Sequence, residues 1–122
     1  YSQENDILLL ALLNNSVSMF FIECFGFGRG QGALDLRATK FQRDFKILNP
    51  DLLTPQQKCN IIDAFQPILN RNRLPLEQEL LQADRINFEK VLFEAFEIFQ
   101  YYNSIKDSLI HLFKIRFAVK VI

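Results

Sequence analysis

Four side chains in the first third of this sequence have the chemistry to read or hold a polyanion. They are Arg29, Gln31, Arg37 and Lys40. The planar fork of Arg matches the edge of guanine, and the amide of Gln matches adenine. Lys suits phosphate as a point charge. Arg29 and Gln31 sit inside FGFGRGQG, where Gly26, Gly28, Gly30 and Gly32 are the only glycines in 122 residues. A run of residues that tolerate positive φ can turn the chain or let the backbone pass close to a ligand. Charges on such a frame can adapt to a phosphate backbone.

Other chemistries are poorly supplied. Gly28-x-Gly30-x-x-Ala33 fits the letters of a dinucleotide fingerprint. That motif needs a strand before it and a helix after it, so that free N–H groups face the pyrophosphate. Here the order reads helix, loop, strand, which would present the negative end of a helix dipole. Cys24 and Cys59 are isolated and read as reduced, buried thiols. The one histidine, His111, lies in a helical apolar pattern, so neither a metal site nor a catalytic triad is expected. Glu77, Glu79, Glu89, Glu94 and Glu97 read as one solvated acidic face. No catalytic residue is assigned.

The elements that must position the loop can be read from spacing. Residues 5–25 read as one helix, with Leu9, Leu12, Leu13, Ser16, Phe20 and Cys24 recurring every three or four positions. Asn14-Asn15-Ser16 matches a glycosylation acceptor but falls within that helix. The alternation of Leu34, Leu36 and Ala38 with Asp35, Arg37 and Thr39 predicts a strand over 33–40. A short extended piece is expected over 45–48, before Asn49-Pro50. Thr54-Pro55-Gln56-Gln57 is a helix start with a capping box, and the helix after it should turn Cys59, Ile61, Ile62, Phe65, Ile68 and Leu69 inward. A short helix is expected near 76–82. Another should begin near Asp84 and bury Phe88, Val91, Leu92, Ala95, Phe96 and Phe99. The last runs from about Ser104, and its stripe of Ile105, Leu109, Leu112 and Phe113 should pack against the helix before it. The fold class is therefore mainly α: four to five helices packed as a bundle, with a Gly-rich loop and one or two short β-strands after the first helix. Residues 1–122 read as a single domain or domain fragment, with helix, loop and strand over 1–50 and the helical bundle over 51–122.

Composition narrows the partners. About half the chain is apolar, with thirteen Phe and no Trp, which supports a packed core. Formal net charge is zero but uneven. Residues 24–50 carry five basic and two acidic side chains, and residues 76–100 carry two basic and six acidic. A basic segment opening inside the loop suits an anionic partner. The apolar run from Ile7 to Leu13 is too short to span a bilayer, and no secretory signal is visible, so a cytoplasmic protein without membrane contact is expected. The first residue is Tyr1, which suggests a piece of a longer protein.

Two separated stretches carry a family resemblance. The first is Leu12-Leu13-Asn14-Asn15-Ser16, then Phe21-Ile22-Glu23-Cys24-Phe25-Gly26, then Gly30-Gln31-Gly32-Ala33-Leu34-Asp35-Leu36. The second is Asp84-Arg85, Phe88-Glu89 and Val91-Leu92-Phe93-Glu94-Ala95-Phe96. Together they resemble the C-terminal end of the adenine-N6 DNA methyltransferases of restriction–modification systems, above all the single-chain enzymes that fuse modification to cleavage. In that family a Leu-Asn-Ser helix runs into an FIE-aromatic-Gly ending, a G-x-G-A-L turn and a strand. An Asp-Arg and a V-F-E-x-L-G helix follow. The glycine of that last motif is Glu97 here, and the arginine expected after Gly26 is Phe27, with Arg29 two positions on.

The resemblance implies a target-recognition region acting on duplex DNA through Arg29, Gln31, Arg37 and Lys40. The catalytic motif and the S-adenosylmethionine fold of the family lie upstream and are absent from this sequence. This chain is thus expected to hold no cofactor and to partner an upstream methyltransferase domain. The alternative is a helical packing or protein–protein interaction domain with no direct DNA contact.

Overall fold

The computed structural model describes residues 3–25, 27–29, 33–35 and 47–119. The architecture is a helical bundle. Among the described residues six α-helices occur: α1 (Gln3–Leu13), α2 (Ser16–Phe25), α3 (Pro55–Leu69), α4 (Leu76–Glu79), α5 (Ala83–Ala95) and α6 (Tyr102–Val119). Short 3₁₀ turns, Pro50–Leu52 and Phe99–Tyr101, precede α3 and α6. Two three-residue strands, β1 (Phe27–Arg29) and β2 (Ala33–Asp35), pair antiparallel after α2. The rest of the strand expected over 33–40 lies outside the described residues. Of the extended piece expected over 45–48, Ile47 and Leu48 have no regular structure and pack on the core.

The expected single helix over 5–25 is two helices, bent by 54° at the break. Asn15 makes the break. Its Nδ2 donates to the carbonyls of Ala11 and Leu12 at 3.0 and 2.9 Å, satisfying the end of α1. Its Oδ1 accepts from the Ser18 N–H at 3.1 Å, capping the start of α2. The Ser18 hydroxyl also donates to the Leu12 carbonyl. Short polar side chains that bond local backbone offer the chain an alternative to the helical ladder. Apolar spacing carries on through the bend, which hides it from a periodicity reading. No single helix among the described residues is long and apolar enough to cross a membrane; α1 and α2 together pass by length and composition only.

Helix α3 starts as its letters require. The Thr54 Oγ accepts from the Gln57 N–H, and the Gln57 side chain accepts from the Thr54 N–H. Gln57 Nε2 then donates to the Ala95 carbonyl at 3.4 Å, tying the start of α3 to the end of α5. The end of α5 is a Schellman closure. The Glu97 N–H donates to the Glu94 carbonyl, and the Ile98 N–H to the Phe93 carbonyl. This geometry needs a left-handed residue, and Glu97 supplies it at φ 60°, the one non-glycine at positive φ among the described residues.

The main core lies where α1, α3 and α5 meet. Leu12, Ile61, Phe65, Phe88, Leu92 and Phe93 are its most enclosed large apolar side chains. The rings of Phe65 and Phe88 lie 4.9 Å apart, and Phe93 meets Tyr102 edge-on at 5.3 Å. A smaller cluster joins Met19 of α2 to Leu80 and Leu109. Helix α5 packs chiefly on α3, and α6 on α2. The expected pairing of α5 with α6 is therefore not the main contact of either helix. The reason is the bend, which swings α2 away from α1 and into position for α6. Phe96, expected in the core, is half-buried; Phe93 takes the interior place, and Phe99 is exposed. Cys59, expected to face inward, is exposed, as is Cys24.

Two stability measurements check this packing. Phe88→Ala is expected to cost about 3–5 kcal/mol in denaturant unfolding, and Phe96→Ala clearly less, because only Phe88 leaves a closed cavity. Glu97→Gly is expected to stabilise by about 1 kcal/mol, since glycine adopts the left-handed conformation without the Cβ clash. A destabilising Glu97→Gly contradicts the Schellman geometry.

Candidate functional site

The hairpin follows directly from the C-terminal end of α2. Its register sets Phe27 opposite Asp35, Gly28 opposite Leu34 and Arg29 opposite Ala33. Arg29 is therefore the last residue of β1. Gln31, Arg37 and Lys40, with Gly26, Gly30 and Gly32, lie outside the described residues, so of the expected DNA-contacting and loop residues only Arg29 and Gly28 have a described backbone. Helix α2 is held close to this point by Glu23. Its carboxylate accepts from Nε and Nη2 of Arg116, in the last turn of α6, at 3.1 and 3.0 Å. The fork geometry of such a pair fixes orientation as well as distance.

A charged network outside the sequence-based expectations ties α4 and α5 to the α1–α2 bend. Glu79 and Glu89, read in sequence as part of a solvated face, are fully enclosed, and Arg85 is 2% exposed. A charge is tolerated inside only when paired and hydrogen-bonded. Glu79 receives two hydrogen bonds from Arg71, at 2.9 and 2.8 Å, one from Arg85 at 2.9 Å and one from the Leu74 N–H at 3.2 Å. Arg71 also grips Asp84 at 2.7 and 2.8 Å. The hydrogen bonds from Arg71 hold the carboxyls of Glu79 and Asp84 below the usual carboxylate range, with Glu79 down to about 2.

Arg85 and Glu89, one turn apart on α5, grip both sides of the α1–α2 bend. Arg85 Nη1 donates to the Asn14 carbonyl at 2.6 Å, at the end of α1. Both oxygens of Glu89 accept from the Ser16 N–H, at 2.9 and 3.1 Å, at the start of α2. Each partner suits the end it meets: a cation at a helix C-terminus and a carboxylate at a helix N-terminus. Arg85 and Glu89 also meet at 3.4 Å. Burial nevertheless dominates at Glu89 and pushes its carboxyl up to about 7, with Arg85 and Ser16 offsetting only part of that cost. The Ser16 hydroxyl is the one enclosed side-chain polar atom among the described residues with no hydrogen-bond partner.

This network reads as scaffolding: Glu79 and Glu89 are enclosed and held by internal donors, and Asp84, a quarter exposed, is taken up by Arg71. Cys24, Asp107, Ser108 and His111 line one open cavity of about 500 Å³. Partial burial and the adjacent Glu23 push the Cys24 thiol up, the wrong direction for a nucleophilic thiolate. Among the described residues no group of three His, Cys, Asp or Glu is placed to hold a metal ion. The signal that could have marked the network in sequence is the pair Arg85 and Glu89, whose four-residue spacing falls on the same face as Phe88 and Leu92. No family model matches this chain, and neither does a curated protein or a solved structure.

The network makes stability depend on pH from both sides. The contribution of Glu79 is present above its ordinary pKa of 4.5 and is lost as pH falls toward about 2. Glu89 acts in the opposite sense: its contribution is present below 4.5 and is lost as pH rises through about 7. The melting temperature should therefore fall from pH 5 to pH 7.5 more steeply in the parent than in Glu89→Gln, which keeps an acceptor for the Ser16 N–H. Equal slopes for the two proteins would show that Glu89 does not titrate in this window.

Proposed function

We propose that the chain is the C-terminal, target-recognition side of an adenine-N6 DNA methyltransferase or of an enzyme that fuses such modification to cleavage. In this reading it works on duplex DNA in the cytoplasm, beside an upstream domain that binds S-adenosylmethionine. It holds no catalytic residue itself. The observation that carries the reading is the meeting of the two family-like stretches. The Asn14-Asn15-Ser16 bend and the Asp84-Arg85…Glu89 segment are far apart in sequence, yet Arg85 and Glu89 hold the backbone of Asn14 and Ser16. Segments that share a motif order and also bond to each other act as one structural unit. Glu97 adds support, since the position where the family carries glycine is the one that adopts φ 60° here.

In this unit α2, braced by α5 and α6, would present the glycine hairpin to DNA. The four basic or amide side chains Arg29, Gln31, Arg37 and Lys40 then supply phosphate and base-edge contacts. Gly28, within β1, leaves the face opposite Leu34 free of a side chain at its own position. A second reading, a domain that only packs on the rest of its own protein, is favoured by Leu10 and Leu69. Both are exposed apolar residues, and they line one shallow cavity of about 190 Å³.

The test is an electrophoretic mobility shift on duplex DNA at two salt concentrations. Binding that weakens steeply with salt supports recognition, while no shift together with concentration-dependent self-association supports packing alone. In a DNA-binding chain, Arg29→Ala should weaken binding while shifting stability by no more than about 0.5 kcal/mol. If Arg29 meets phosphate, the salt slope should fall by about one unit; if it meets guanine, the loss should be about 1–3 kcal/mol at one base position. Unchanged binding with a lowered melting temperature would make Arg29 a packing residue.

A further inference from the structure

A third cavity, of about 400 Å³, lies between α2, α6 and the segment joining α3 to α4. Its wall is mainly apolar, built from Met19 and Ile22 of α2, Leu76, and Leu109 and Phe113 of α6. Three charged side chains reach it: Glu23, Arg73 and Arg116. Glu23 and Arg116 neutralise each other through their two hydrogen bonds. Arg73 is the cationic surplus. Among the described residues it has no carboxylate within ion-pair distance, and its Nη2 lies 3.6 Å from the Met19 sulfur. A thioether is a weak acceptor and leaves a guanidinium fork largely unspent.

The contrast with Arg71 is instructive. Two residues earlier in the same segment, Arg71 is saturated by Glu79 and Asp84, and those bonds fix the backbone that carries Arg73. The second guanidinium thus lines an apolar cavity on a segment held by the bonds of the first. Cavities of this size, with apolar walls and a small number of placed polar groups, are the usual form of small-molecule sites.

We infer that this cavity binds a small organic carboxylate with a compact aromatic or branched apolar body. The apolar body fills the space among Met19, Ile22, Leu109 and Phe113, and the carboxylate takes the fork of Arg73 in a bidentate pair. A cationic ligand is disfavoured because the lining carries two guanidiniums against one carboxylate. This site is separate from the hairpin, and the inference does not depend on the DNA reading.

The experiment is a titration of the full chain with 3-phenylpropionate, followed by amide chemical shifts, with 3-phenylpropionamide as the uncharged control. The expected result is saturable shifts centred on Met19, Leu76 and Leu109 with the carboxylate, and affinity lower by about tenfold or more for the amide. Arg73→Ala should weaken carboxylate binding to the level of the amide and leave the melting temperature nearly unchanged, because Arg73 is exposed. Arg73→Lys should recover part of the loss, since it restores charge without the fork. Absence of saturable shifts, equal binding of acid and amide, or unchanged binding in Arg73→Ala would each overturn the inference.

Discussion

Glu89 and Arg85 have to hold the α1–α2 bend, because a chain broken at Asn14 and Asn15 leaves backbone groups unsatisfied inside a core. The last carbonyls of one helix and the first N–H groups of the next have no partners of their own kind. Here Asn15 and Ser16 are fully enclosed and Asn14 is half-buried, so water reaches few of those groups. Asn15 satisfies part of the need locally, and α5 supplies the rest with one cation and one carboxylate. Such an arrangement is weak as a source of stability, since taking two charges out of water costs more than most contacts return. It is strong as a source of specificity. Any other angle between α1 and α2 costs Arg85 its bond to the Asn14 carbonyl and Glu89 its bonds to the Ser16 N–H.

That angle decides the rest of the architecture. It lets α1 stay on α3, which packs on α5, while α2 crosses to α6. The molecule therefore has two apolar clusters, one beneath Phe65 and Phe88 and one around Met19 and Leu109, with the ionic network near their junction. The hairpin leaves from the braced end of α2, where Glu23 meets Arg116. If the DNA reading proposed above holds, this rigid base lowers the ordering required when the loop binds. The Arg71–Glu79–Asp84 group performs the same service for the segment carrying Arg73.

Local chemistry was well legible in the sequence. Thr54-Pro55-Gln56-Gln57 announces its capping box because every partner lies within three residues. The helical character of the chain follows from spacing in the same way. The bend was not legible, since Leu9, Leu12, Ser16 and Phe20 keep helical period across it and only the consecutive Asn14, Asn15 and Ser16 hint at competition for the backbone. Glu79 and Glu89 look like neighbours of Glu77 and Glu94, and only the face that Glu89 shares with Arg85, Phe88 and Leu92 hints that it goes inside. The burial of Glu89 depends on Ser16, contributed from the far end of the chain. Cys24 and Cys59 fit apolar stripes by period but fall at the edges of their buried faces. For the hairpin, the sequence names the residues and the structure places only the backbone of Arg29 and Gly28.

The most direct test of this account is native-state hydrogen exchange at the Ser16 amide. If the Glu89 carboxylate holds the bend as part of the core, this amide exchanges only through global unfolding, with the same free energy as the amides of Phe88 and Leu92 in α5. Exchange at Ser16 through a local opening, at a free energy closer to that of the first turn of α1, would contradict it.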